Sequence, residues 1–126
     1  MSLKSPLGHV RGLGSAKEGV QHWWLQRVTA LALIPLGLWF VVSVIGMSHS
    51  GHDEMVAWLS APFPATFAIL LIVATFWHAM LGVQVVIEDY VHNETTKIAT
   101  LLVVKGLLLL LGTACVLSVV ILMAQG

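Results

Sequence analysis

Three side chains between residues 76 and 92 are of types that could do chemistry. His78 lies inside the apolar stretch FWHAMLGVQVVIEDYVH, and Asp89 and Tyr90 stand at its polar end. Ionisable groups at bilayer depth are rare, face a protein interior or a cofactor, and indicate a functional site. A neutral imidazole is a good axial ligand for haem iron, and a phenol at a membrane boundary can donate a hydrogen bond to a quinone carbonyl. The stretch therefore suits a chain that contacts both a haem and a quinone.

Helical spacing predicts which residues lie on the same helix face as His78. In a helix, Gly82, Val85 and Asp89 return to roughly the side of His78, because each residue turns the chain by ~100°. Gly82 has no side chain one turn from the imidazole, so a large flat group or another backbone can come close there. Ala74 continues this face on the other side of His78. The pattern predicts a docking groove of the kind that a porphyrin needs.

The phenol of Tyr90 lies at a different depth in the membrane from His78, although both belong to the same predicted helix. Tyr90 lies ~18 Å along the helix axis from His78 and is rotated from it by ~120°. The spacing predicts two sites, with His78 near the middle of the membrane and Tyr90 at its inner boundary. A haem and a quinone share one face only if the end of the helix unwinds.

Each of these residues also has a purely structural interpretation. A single intramembrane histidine is typical of an interhelical hydrogen bond, and a boundary tyrosine is typical of an aromatic belt. Glu88 and Asp89 by default form a solvated helix end, although acids oppose the dipole at a helix C-terminus. Residue types and spacing alone leave both interpretations open.

Composition indicates an integral membrane protein. Of the 126 residues, 58% are hydrophobic and only 10% are charged, a balance that soluble domains do not show. Six basic and six acidic residues give zero formal net charge without a basic patch, which excludes nucleic-acid binding. The single Cys115 excludes an intramolecular disulfide. A chain of this size holds only a few spans of about 20 residues each, so we expect partner subunits.

Hydropathy predicts an all-α fold with three transmembrane helices in one membrane-anchor domain, residues 1–126. The spans are expected at about 23–47, 65–90 and 98–123. An extramembrane segment, residues 1–20, contains four glycines and is expected to be loosely structured or held against another subunit.

Two further expectations concern the loops and the third span. A short interfacial helix that carries Trp58 is expected in the first loop, and the turn HNETTK has the residues to cap the third helix. Lys105 lies about two turns into the third span and is expected to snorkel to the nearby interface, with a functional pairing as the alternative.

The distribution of basic residues predicts the orientation. Lys4, Arg11, Lys17 and Arg27 precede or begin the first span, whereas residues 48–63 contain no Lys or Arg. Cytoplasmic segments are enriched in Lys and Arg, so the N-terminus is expected inside and the C-terminus outside. The start of the chain lacks a signal-peptide pattern, which favours a bacterial inner membrane over a mitochondrial one.

Two motifs carry a resemblance to a known family. The stretch HAMLGVQVVIEDYVH, with WWLQRVTALAL upstream, resembles the small hydrophobic membrane anchor of succinate dehydrogenase, respiratory complex II. Its most specific part is H-x₃-G-x-Q-V-x₃-D-Y, met here by His78, Gly82, Gln84, Val85, Asp89 and Tyr90. The motif R-x-T-A is met by Arg27, Thr29 and Ala30.

The resemblance implies a role for each matching residue. His78 would be one axial ligand of haem b and so bind the haem iron, the second ligand coming from the sister membrane-anchor subunit. Asp89 and Tyr90 would border the ubiquinone site, and Arg27 would approach the haem propionates. Some relatives carry a histidine at the position of Gln21, and His22 stands beside that position here.

The implied function is electron transport in the tricarboxylic acid cycle. Electrons from succinate would pass through the flavoprotein and iron–sulfur subunits to ubiquinone, so this chain would not be catalytic alone. Two alternatives accompany this interpretation: the anchor of a related fumarate reductase or a haem-free structural subunit, in which His78 only packs, and an ion- or proton-conducting subunit that uses Glu88, Asp89 and Lys105.

Overall fold

The fold is helical throughout the part of the chain that the structure describes. A computed structural model describes residues 6–7 and 16–126. Within these residues the chain forms α1 (Ala16–Gly46), α2 (His52–Ser60), α3 (Pro62–Tyr90) and α4 (Glu94–Gln125), with no strand. Three of the four, α1 from Gly19 onward, α3 and α4, are long and apolar enough to cross a membrane. The predicted all-α class with three spans is confirmed.

The helix ends agree with the local sequence signals except at the start of α1. Helix α3 begins at Pro62, with Pro64 also in its first turn, where a missing backbone N–H costs nothing. Helix α1 begins at Ala16, so the expectation of loose structure up to residue 20 is wrong for 16–20. Apart from residues 6–7, the rest of that segment lies outside the described residues.

The predicted short helix and the predicted cap are both present. Helix α2 carries Trp58, whose ring stacks on Trp39 of α1 with centroids 5.8 Å apart. Asn93 is the N-cap of α4, and its side chain accepts a hydrogen bond from the backbone N–H of Thr96 at 3.1 Å. These contacts secure the two connections on either side of α3.

Helix α3 lies between the other two long helices. It packs against α1 on one side and α4 on the other, α2 contacts α3 and α4, and α1 does not touch α4 within the described residues. Few side chains are enclosed by this arrangement: Ala65, Ile87 and Val119 are the buried hydrophobic residues of the described part. Most large apolar side chains face outward, as expected for a surface covered by lipid or by other membrane subunits.

Candidate functional site

His78 lies in the middle helix and contacts α1. Its Nδ1 atom is 3.0 Å from the hydroxyl oxygen of Thr29, and both side chains are half-buried. The same hydroxyl oxygen lies 2.7 Å from the carbonyl oxygen of Leu25 and 3.1 Å from that of Gln26. One ring nitrogen of His78 therefore has a partner inside the chain, and Nε2 has none among the described residues. The interhelical hydrogen bond and a ligand role are compatible, because an imidazole has two nitrogens.

The predicted groove is present on one side of His78 and closed on the other. A β-carbon added to Gly82 would lie 3.6 Å from Nε2 of Gln26, so the side chain of Gln26 covers the place that was expected to receive a flat group. Gly82 serves instead to let α1 approach α3 closely. Of the two neighbours expected beside Gly82, a flat group or another helix backbone, the structure places α1 there.

Beyond Ala74 the groove is open. An apolar space of about 390 Å³ separates α1 from α3 there, and Thr29 lies on its wall with Ala32, Ala74 and Trp77 among the other lining residues. Ala74 is one turn from His78 on the same face. The part of the face that leads outward from the imidazole can therefore accept a flat apolar group.

The side of α1 that faces α3 carries a row of polar side chains. His22, Gln26 and Thr29 recur at the spacing of a single helix face. Nε2 of His22 and Oε1 of Gln26 are buried and have no hydrogen-bond partner in the described residues. A buried polar atom without a partner costs about 1–3 kcal/mol. This row, which includes the Thr29 contact to His78, was not identified from the sequence, although its i, i+4, i+7 spacing in an apolar helix was visible there.

Asp89 and Tyr90 form the exposed end of α3. The helix remains regular up to Tyr90, because the backbone N–H of Val91 still donates to the carbonyl of Ile87 at 2.9 Å. The helix end is thus not unwound, and the ~120° rotation between His78 and Tyr90 persists. Tyr90 is 79% exposed. The phenol is therefore accessible to a bound molecule or to a partner subunit.

Arg27 lies close to an aromatic ring of its own helix. Its guanidinium carbon is 4.2 Å from the centroid of the Trp23 ring, within the range of a cation–π interaction. Arg27 and Thr29 are two positions apart, so they point to sides of α1 about 200° apart. The structure thus brings Thr29, and not Arg27, to the imidazole of His78.

Lys105 has a partner on the neighbouring helix. Its ammonium donates to Oε1 of Gln84 at 2.7 Å, and Nε2 of Gln84 donates to the Glu88 carboxylate at 2.8 Å. Snorkelling of Lys105 to the interface stays a prediction, and the structure adds to it an interhelical hydrogen bond between α4 and α3. This polar chain lies on the side of α3 that faces α4, whereas His78 faces α1.

Comparisons with known proteins agree on one family. A family model described as the succinate dehydrogenase/fumarate reductase transmembrane subunit matches residues 1–122. The chain is 32% identical over 103 residues to the succinate dehydrogenase hydrophobic membrane anchor subunit of Rickettsia bellii, with 82% of each chain covered. It is 33% identical over 99 residues to the subunit of the same name from Paracoccus denitrificans, covering 79% of this chain and 77% of that one.

A third relative extends the match beyond these two genera. The succinate dehydrogenase membrane anchor subunit of Reclinomonas americana is 34% identical over 92 residues, covering 71% of this chain and 77% of that one. The match to the family model includes nearly the whole length over which the three apolar helices extend. This chain therefore belongs to the family of succinate dehydrogenase and fumarate reductase transmembrane subunits, as a membrane anchor that crosses the bilayer several times.

Proposed function

We propose that this chain is the membrane-anchor subunit of a succinate:quinone oxidoreductase and that it supplies one axial ligand of haem b and part of the ubiquinone site. His78 is the proposed iron ligand, and Asp89 and Tyr90 are the proposed quinone-site residues. Arg27 is the proposed propionate partner. The flavoprotein, the iron–sulfur protein and a sister membrane anchor are the proposed partners. A bacterial inner membrane is the proposed location, since the Rickettsia and Paracoccus relatives are bacterial.

The environment of His78 carries this proposal. The imidazole stands near the middle of a helix of 29 residues, its Nδ1 is occupied by Thr29 at 3.0 Å, and an apolar space of about 390 Å³ begins one turn away. A ligand histidine usually gives its second nitrogen to a hydrogen-bond partner, which fixes the ring. The residues present therefore fit a haem. When bound, the haem would supply one-electron transfer, and a second imidazole would leave the iron no open position for oxygen.

The second iron ligand is proposed to come from another chain. Within the described part, the three long helices contain one other histidine, His22, which lies near the start of α1. It lies seven residues before Thr29, which is ~10 Å along the axis of α1. Metal–imidazole bonds are ~2 Å long, so two ligand nitrogens on one metal lie ~4 Å apart. His22 therefore cannot share an iron with His78, which supports a sister membrane anchor as the source.

Asp89 and Tyr90, at the end of α3, support a quinone site that is separate from the proposed haem site. Tyr90 and Asp89 are exposed side by side at the same membrane boundary, ~18 Å from the level of His78. The phenol can donate a hydrogen bond to a quinone carbonyl. The carboxylate beside it can hold a proton that the reduced quinone takes up. Because the two levels also differ in direction by ~120°, the haem and the quinone would occupy different faces of α3.

The haem-free alternative has one observation in its favour. The hydrogen bond between Thr29 and His78 also serves to hold α1 against α3, which would give the histidine a purely structural role in a related fumarate reductase anchor. The two functions differ in one measurable property. Only the haem-containing complex shows a b-type visible spectrum.

Replacement of the histidine tests the proposal. In the purified complex, His78→Leu is expected to remove the b-type band from the reduced-minus-oxidised spectrum, because leucine offers no nitrogen to the iron. His52→Gln is the matched control, since His52 is an exposed histidine in α2 and its loss should leave the spectrum unchanged. A His78→Leu complex with full haem content and an unchanged band would refute the ligand role.

A further inference from the structure

We infer that Thr29 is the positioning residue of the haem ligand: its hydroxyl holds Nδ1 of His78 and leaves Nε2 as the nitrogen that binds iron. This inference rests on the proposed haem site. It adds to that proposal the identity of the coordinating nitrogen and a second residue, on a different helix, that determines how the imidazole plane is oriented.

The hydrogen positions follow from the contacts of the Thr29 hydroxyl. A hydroxyl has one hydrogen to donate and two lone pairs that accept. Its shortest contact is to the carbonyl oxygen of Leu25 at 2.7 Å, and a carbonyl can only accept. The hydroxyl hydrogen therefore belongs on Leu25, and the contact of 3.0 Å to Nδ1 of His78 is a bond in which Nδ1–H donates to the threonine oxygen.

This assignment determines which ring nitrogen is free. A neutral imidazole with its proton on Nδ1 has its lone pair on Nε2, and a metal needs that lone pair. The opposite assignment would put the proton on Nε2 and leave the Leu25 carbonyl without the hydroxyl hydrogen. Coordination through Nδ1 is also excluded, because the oxygen of Thr29 already occupies that side of the ring.

The neighbours of Thr29 restrict where its side chain can lie. It belongs to the same row of α1 side chains as Gln26. Gly82 has no side chain, which lets α1 come close to α3 near this position. Nε2 of Gln26 lies 3.6 Å from where a β-carbon on residue 82 would be. The hydroxyl bond to Leu25 restricts the rotamer of Thr29. Both groups of the pair are half-buried, so water competes weakly for the bond.

Loss of the Thr29 oxygen should therefore change the haem without removing its ligand. Partners of metal-bound histidines typically contribute 10–100-fold in metal affinity or activity. Donation from Nδ1–H makes the imidazole more basic, which favours ferric iron. In Thr29→Val, which keeps the shape but lacks the hydroxyl, we expect at least about 10-fold weaker haem retention, a more positive haem midpoint potential and altered low-spin electron paramagnetic resonance g values.

The test uses the purified complex with Thr29→Val, Thr29→Ser and a control, Thr113→Val. Thr113 lies on α4 and its hydroxyl also bonds to a carbonyl four residues earlier, that of Leu109, at 2.7 Å, but it contacts no imidazole in the described structure. The inference is supported if Thr29→Val changes the g values and the potential while Thr29→Ser and Thr113→Val match the wild type. Wild-type values for Thr29→Val overturn it.

Two further outcomes keep the two proposals separate. If Thr29→Val does not assemble, Thr29→Ser and Thr29→Ala are compared, since both lack the γ-methyl group and they differ only in the hydroxyl. Different g values for these two support the inference, and identical ones overturn it. A wild-type complex without a b-type spectrum contradicts the proposed function itself, whereas a normal wild-type haem that is insensitive to the Thr29 hydroxyl contradicts only the role of Thr29.

Discussion

At the residue scale, polar side chains inside the bilayer are satisfied pairwise across helix interfaces. His78 bonds to Thr29 on α1, and Lys105 bonds to Gln84 on α3. Each pair removes part of the cost of a polar group in a medium without water. His22 and Gln26 differ, because each keeps one buried atom without a partner in the described chain.

Tyr90 is proposed to donate a hydrogen bond to the quinone, and its replacement tests this role. Loss of one neutral hydrogen bond costs ~0.5–1.5 kcal/mol, and more when a buried partner remains unsatisfied. Tyr90→Phe is therefore expected to slow quinone reduction several-fold or more, measured as succinate-dependent reduction of a soluble quinone. Succinate oxidation by a dye that accepts electrons before the quinone site serves as the control and should not change. Unaltered quinone turnover and inhibitor affinity would return Tyr90 to the aromatic belt.

At the scale of the elements, α3 presents different chemistry to its two neighbours. Towards α1 it presents the imidazole of His78 and the bare backbone of Gly82. Towards α4 it presents Phe76, which lies against Gly112, and an apolar cleft of about 240 Å³ runs along this second interface. The contact between an aromatic ring and a glycine lets the two helices approach closely. Helix α3 is thus held from both sides by small residues that face larger ones.

Two glycines of α4 allow a matched test of this packing. A β-carbon at Gly112 would lie 3.0 Å from Cγ of Phe76, whereas one at Gly106 meets nothing within 4 Å. Overpacking a tight contact costs about 1–3 kcal/mol, so Gly112→Ala is expected to lower the thermal unfolding midpoint of the purified complex. Gly106→Ala should leave it unchanged or raise it, because alanine favours a helix by up to about 1 kcal/mol. Equal midpoints for the two variants would argue against close packing of Phe76 on Gly112.

At the scale of the whole molecule, the chain has a small interior and a large apolar exterior. The buried hydrophobic residues of the described part are three, and none of them is aromatic. Helix α3 packs between the two outer long helices, and the short helix α2 also touches both, α4 directly and α1 through the stack of Trp58 on Trp39. Such a bundle depends on lipid and on other subunits for the rest of its packing, which agrees with an anchor that works inside a larger complex.

The distribution of basic residues predicts how the molecule is oriented in the membrane. Four basic residues lie before or at the start of the first span and none in residues 48–63, so the N-terminus and the turn between α3 and α4 are expected inside. A C-terminal alkaline phosphatase fusion should be active, and a C-terminal cytoplasmic reporter should not. The reverse pattern would place Tyr90 on the side away from the proposed electron-donating subunits and would refute the orientation.

The three spans, their ends and the positions of the polar residues within them could be predicted from the order of residues alone. Runs of apolar residues of membrane length predicted three spans, the turn HNETTK predicted a capped start for the last helix, and the position of His78 in its run predicted its place near the middle of α3. These properties are local: each depends on neighbouring residues, on the thickness of the bilayer and on the rise of a helix. They could be inferred without knowing which helices touch.

Which helix faces meet could not be predicted and is known from the packing of the folded chain. The pairing of Thr29 with His78 joins residues 49 positions apart, and that of Gln84 with Lys105 joins two different helices. A soluble helix reveals its inner face by an apolar stripe, but these spans are apolar on all sides, so hydropathy does not indicate how each helix is rotated about its axis. For the same reason hydropathy did not indicate that Gln26 of α1 lies beside Gly82. Rotation is set by close packing and by the few interhelical hydrogen bonds, and these exist only once the helices have assembled.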